Sequence, residues 1–269
     1  MLMFRPCRCS LAYGTPLQIH RSQYDVPLPA YPPELNPSSA SPIFTSLVSL
    51  TEVLGTSLEH VYSVDPGSSS SAPPQSLASL LKDWESALPP DLQAIILENT
   101  TLHNPGAANL RLAHLALKLL HCRIQLNLHT TPSSQTEQYP AAHSAAESIV
   151  RFVQRLHETP FPGFWIPMNA YALTSATTFL LRSALHGSIV SLQLARQMVS
   201  ALRELRDRYG WDLADHCLGQ CAEVLDRVES VVGGAGGELV DECVGFSLED
   251  LLEAVDGEGL FGWDLDFGV

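Results

Sequence analysis

Apolar residues recur three or four positions apart through most of the middle of the chain, the spacing that lines one face of an α-helix. The first run opens at Ser41-Pro42, a capping residue followed by proline in the first turn. It carries Ile43, Leu47, Leu50, Leu54, Leu58 and Val61, and gives way to Asp65-Pro66-Gly67 and a serine run. A second helix is predicted after Pro74, with Leu77, Leu80, Leu81, Trp84 and Leu88 on one face and an end at Leu88-Pro89-Pro90. From Asn109 to Leu128 apolar residues occupy most of the circumference, which marks a central, buried helix. Further helices are predicted over Glu137–Glu158, Met168–Leu185, Ser188–Tyr209 and Leu213–Val232. The last two are amphipathic, with Arg196, Arg203, Arg206, Arg208 and Arg227 available for the solvent side. No strand alternation, hairpin signal or repeat of fixed period recurs. The pattern predicts an all-α fold: an irregular bundle of about seven helices with antiparallel neighbours.

The flanks read differently. Residues 1–40 carry prolines at 6, 16, 27, 29, 32, 33 and 37, so this Pro-rich N-terminal segment is expected to be extended. Residues 41–232 form the helical core. Gly233-Gly234-Ala235-Gly236-Gly237 then opens a Gly-rich linker and an acidic, hydrophobic tail over 233–269.

Composition sharpens this division. Hydrophobic residues make up 45% of the 269 and charged residues 16%, against the usual figure of about 25%, so the helices have little polar surface to spare. The net charge is −14, which argues against direct DNA binding by the chain. Ten acidic residues and no Lys, Arg or His lie between Glu238 and Val269; setting them aside takes the net charge from −14 to −4. Six cysteines in a chain of this length do not make a disulfide scaffold, and Cys122, Cys217 and Cys221 fall in apolar helical patterns, as reduced core cysteines do. An intracellular, reducing compartment is therefore expected. Thr159 to Leu181 is uncharged and long enough to span a bilayer. Its prolines and hydroxyl residues read instead as a loop feeding a buried helix, and no membrane association is expected.

The search for chemistry yields few candidates. Cys7 and Cys9 form a Cys-x-Cys pair without nearby partners, and Cys217 and Cys221 share a helix face beside His216. Zinc needs four converging ligands, so no metal site and no cofactor are expected. His103, His114, His121 and His129 lie on or near the central helix, and His114 and His121, seven apart, share a face. They read as core histidines, with His114, His121 and Trp165 as candidates for lining a buried pocket. There is no G-x-S-x-G elbow, P-loop or dinucleotide fingerprint, so an enzyme is not expected. In the tail, Phe246, Leu248, Leu251, Leu252, Val255, Leu260, Phe261, Trp263, Leu265 and Phe267 alternate with acids. Acids keep such hydrophobes exposed for docking into a partner's groove, a pattern that suits an activation segment. Phe246, Leu251, Leu252, Leu260, Phe261, Trp263, Leu265 and Phe267 are the candidate partner-binding residues. The alternative is a C-terminal helix packed on the body.

Several segments together resemble the regulatory (middle homology) domain of fungal zinc binuclear cluster transcription factors. Ser10 to Ile19 and Tyr24-Asp25-Val26-Pro27-Leu28-Pro29 are similar to that family's glycine-proline turn and its following acidic stretch, with Thr15 where Arg is usual and Gln23 where Asp is usual. Leu77 to Leu92, with Trp84 and Leu88-Pro89-Pro90, resembles its "L-x-x-W-x-x-x-L-P-x-x-L" helix. Asn109 to Leu115 looks like the opening of its long helix, and Phe164-Trp165-Ile166-Pro167 running into Tyr171–Ala176 like a loop entering an apolar helix. The order of these segments covers roughly residues 10–230. The resemblance implies an all-helical nuclear domain that modulates RNA polymerase II transcription through helix packing and recruitment of a coactivator or other protein partner, with a homodimer as a further option. The family's six-cysteine zinc cluster has no counterpart here, so a truncated gene model, a fragment or a headless relative is expected. The alternatives from other classes are a helical small-molecule-binding protein or enzyme with a buried pocket, and a truncated fragment without function.

Overall fold

A computed structural model of the chain describes residues 40–61, 77–98, 102, 104, 106–128, 132–156, 165–166 and 169–234. The Pro-rich segment 1–39 and the acidic tail beyond Gly234, with all its candidate partner-binding residues, lie outside them. The described residues form eight helices and no strand: α1 Ala40–Val61, α2 Leu77–Ala87, α3 Pro90–Glu98, α4 Ala107–Leu128, α5 Pro132–Arg155, α6 Ala170–Leu185, α7 Ile189–Tyr209 and α8 Leu213–Gly234. The all-α class is as the apolar spacing implies. None of these helices is long and apolar enough to cross a membrane.

The helix not anticipated from the pattern is α3. Leu88-Pro89-Pro90 does end α2, but it also starts α3. The Pro89 carbonyl accepts from the amides of Leu92 (3.0 Å) and Gln93 (2.9 Å), and Pro90 takes the first helical position, where the missing N–H costs nothing. Gln93 turns back so that its Nε2 donates to the carbonyls of Leu88 (2.9 Å) and Glu85 (3.3 Å), groups a helix end otherwise leaves without an acceptor role. One side chain therefore closes α2 from within α3. α5 also starts earlier than expected, at Pro132, so that Pro140 lies inside the helix and not in its first turn.

The described helices fall into two compact units. The first holds α1, α2, α3, residues 165–166 and α4 as far as Leu117. The second holds α4 from Lys118 and all of α5 to α8. In the first unit Ile43, Leu47, Leu50, Trp84, Ile95, Ile96, Leu110 and Leu112 are buried. The turn into α4 needs Gly106, whose φ of 84° suits glycine and whose added Cβ would stand 3.2 Å from Ile43 Cγ2.

In the second unit α6 is the hub, packing most extensively on α8 and α7 and also on α5. Twelve of its sixteen residues are buried. Its hydroxyls go inside because they return to their own helix. Thr174, Thr177 and Ser183 donate to the carbonyls four residues back, at 3.3, 2.8 and 2.8 Å, so no hydroxyl proton is stranded in the core.

The joints of this unit are written in local chemistry. α6 ends in a Schellman arrangement: Ser188 N donates to Ser183 O (3.0 Å), and Gly187 N, in a residue with φ of 92°, donates to Ala184 O (2.9 Å). Ser188 then caps α7, its Oγ accepting from Ser191 N at 3.3 Å. The two residues after the cap, Ile189 and Val190, are 66% and 58% exposed, whereas Ser191 and Leu192 are buried, so the first turn of α7 is held by its cap together with the burial of its second half. α7 ends at Gly210, in the left-handed region (φ 65°, ψ 35°), whose amide donates to Arg206 O at 2.8 Å. Arg196 crosses from α7 to Glu229 of α8 at 2.5 Å, an exposed ion pair of small energetic weight.

Nothing lies within 4 Å of a Cβ added to Gly210, so Gly210→Ala should carry a backbone cost alone. The expected loss is about 1–2 kcal/mol, with Gly210→Asn intermediate, read as a lower urea midpoint at unchanged slope.

Candidate functional site

The most developed polar cluster among the described residues is built around His114, in the first unit. His114 is fully buried on α4. Its Nε2 lies 2.6 Å from Glu85 Oε1 of α2, and its Nδ1 lies 3.4 Å from Arg111 Nη1, one turn earlier on α4. A guanidinium can only donate, so Nδ1 accepts and the ring proton sits on Nε2, which donates to the carboxylate. The imidazole is thus a neutral bridge between a buried cation and a half-buried anion. Protonating Nδ1 would remove the acceptor that Arg111 faces. Trp84 stacks on the imidazole with ring centroids 5.9 Å apart and planes 25° apart. Trp84 Nε1 donates to Ser49 Oγ of α1 (2.9 Å), and Ser49 Oγ donates to Ser46 O (3.0 Å). Hydrogen bonds and a stacked pair therefore run from α1 through α2 to α4. Nearby, Asn109 Oδ1 accepts from the amide of Ile166 at 2.9 Å and ties the 165–166 strap to the start of α4.

The three pocket candidates are distributed as follows. His114 and half-buried Trp165 belong to the first unit. His121, two turns after His114 on α4, belongs to the second. His121 Nδ1 is buried and has no hydrogen-bond partner among the described residues, and burial lowers the imidazole below its usual pKa. Also in the second unit, Arg123 donates to Ser175 Oγ of α6 at 2.7 Å; burial first, and then the neighbouring charge of Arg182, bring its pKa down to about 10. His216 lies apart from the two cysteines that follow it in sequence, its exposed ring tilted against Tyr171 at 5.9 Å.

Sequence spacing pointed to His114 but not to its partners. Glu85 is 29 positions away, on another helix. The one available signal was Trp84, an aromatic that brings its neighbour Glu85 to the same place. Among the described residues no group of three or more His, Cys, Asp or Glu side chains converges to hold a metal ion. No protein-family model matches the chain, and neither a curated protein nor a solved structure matches it.

The cluster can hold three helices in register; no hydroxyl or thiol nucleophile bonds to the imidazole in the contacts above. His114→Phe preserves the ring stack and the volume but leaves Glu85 and Arg111 without the bridge. It should cost about 1–3 kcal/mol in urea unfolding. For His121 the direction of pH dependence follows from its depressed pKa. Between the folded value and about 6.5 the unfolded chain binds the proton and the folded chain does not, so stability is full above pH ~6.5 and falls as pH drops through the folded value. His121→Leu should flatten that part of the pH–stability curve, measured by thermal unfolding from pH 7.5 to 5.

Proposed function

We propose that this chain is a helical regulatory domain of the kind found in fungal transcription factors, acting in the nucleus by recruiting a transcriptional coactivator. The observation that carries the reading is the segment from Glu238 to Val269, with ten acidic residues, no basic residue, and aromatic and aliphatic side chains set between the acids. Such a segment cannot bury its hydrophobes against its own charges, so it gains most by folding onto a partner's apolar groove. Gly236 and Gly237, which follow the end of α8 at Gly234, give it reach.

Two further points support the reading. The all-helical fold agrees with what the resemblance implies, and the polar cluster at His114 serves helix registry. In this reading the body is a scaffold, the tail is the contact, and no bond is made or broken. A net charge of −14 also leaves duplex DNA to another module.

Fused to an unrelated DNA-binding domain, residues 238–269 should activate a reporter. Alanine at Phe261, Trp263 and Phe267 together should reduce activation at least tenfold at equal protein level. An unchanged reporter signal from the triple variant would refute the docking role of the tail.

A further inference from the structure

Cys217 and Cys221 stand one turn apart on α8, where it packs against α6, and are 0% and 1% exposed. Thr177 Oγ1 of α6 lies 3.3 Å from Cys217 Sγ and spends its own proton on Leu173 O at 2.8 Å. With its one proton on the Leu173 carbonyl, Thr177 Oγ1 accepts from the Cys217 S–H in the thiol form. When Cys217 loses its proton, the Thr177 hydroxyl is already in place to turn and donate to the thiolate. The neighbouring Cys221 thiol, opposed by burial and aided by the Thr177 and Thr174 hydroxyls, holds Cys217 below the usual thiol range. Its neighbour Cys217 and burial push Cys221 up.

Spacing decides what such a pair can do. Side chains four apart on a helix have Cβ atoms about 5–6 Å apart. A disulfide needs about 3.5–4.5 Å, so direct oxidation would have to unwind α8. A bridging atom removes that mismatch by lengthening the link between the sulfurs. Zinc requires four ligands, and no third His, Cys, Asp or Glu joins the pair among the described residues. Two thiolates alone suit a soft ion that accepts two-coordination.

Gly219 adds an independent observation. It lies between the two cysteines on the exposed side of α8, and an added Cβ would meet nothing within 4 Å. Packing therefore does not ask for glycine there, yet glycine weakens a helix interior. The weak point falls within the turn that carries both cysteines.

We propose that Cys217 and Cys221 form a buried two-coordinate site for a soft monovalent cation of the Cu(I) class, with Thr177 as an outer-shell donor to the bound thiolate. One proton leaves each thiol, two metal–sulfur bonds form, and no electron is transferred. The product is a bis-thiolate complex of net charge −1.

The test uses the full chain with Cys7, Cys9, Cys122 and Cys243 replaced by serine, reduced and kept free of oxygen. Cu(I) is supplied as its bicinchoninate complex. One equivalent should pass to the protein, and X-ray absorption at the copper edge should find two sulfur neighbours. Cys217→Ser or Cys221→Ser should each weaken uptake beyond the roughly 10–100-fold that loss of an outer-shell partner costs, and Thr177→Val should fall within that range. Circular dichroism checks that each variant is folded, and where a serine variant is not, the sulfur count on the two-cysteine chain decides. The proposal is overturned if the two-cysteine chain takes up no stoichiometric copper, if its copper lacks two sulfur neighbours, or if both single serine variants bind as tightly as their parent.

Discussion

A chain with few charges can bury its helices on most sides only if nearly every polar group taken inside brings a partner with it. That constraint governs both units, with His121 Nδ1 as an exception. His114 enters the first core with Glu85 on one nitrogen and Arg111 on the other. Asn109 enters with the Ile166 amide. The α6 threonines enter bonded to their own backbone. Bonded in this way, the buried groups escape the penalty of about 1–3 kcal/mol that an unmade internal hydrogen bond carries. They also restrict how neighbouring helices can slide, since apolar side chains alone tolerate shifts that directional bonds do not.

Much of the helical scaffold was legible because helix formation is local information. Ser188 before an apolar run, glycine at 187 and 210, and Ser41-Pro42 are short-range signals, and the structure places helix boundaries at or within a residue or two of them. α3 escaped because its boundary signal is shared with the end of α2, and a proline pair reads first as a stop. The cluster at His114 was half legible. A histidine amid leucines is conspicuous, but Glu85 becomes its partner only through the packing of α2 on α4, which no periodicity encodes. The candidate residues of the tail rest on composition alone, because they fall outside the described residues.

The two units handle their polar cargo in different ways. In the first, a neutral ring stands between a cation and an anion and bonds to both. In the second, a hydroxyl and a thiol share a proton between α6 and α8. The first arrangement is sensitive to added protons, because the imidazole has a fixed acceptor duty. The second is sensitive to soft electrophiles, because sulfur is its most polarisable atom. Each unit thus carries its own chemical vulnerability within an otherwise inert set of packed leucines and alanines.

The start of α7 has a different character. Ile189 and Val190 are mostly exposed, and Ser188 with the reversed glycine before it holds the turn beside buried Ser191 and Leu192. Apolar attraction fades on cooling, whereas a serine-to-amide bond has no such dependence on water structure. The cap and the glycine turn therefore keep their share of the corner between α6 and α7 in the cold, where the leucine-packed part of the same turn weakens. They act as a stitch in the backbone beside the core they join.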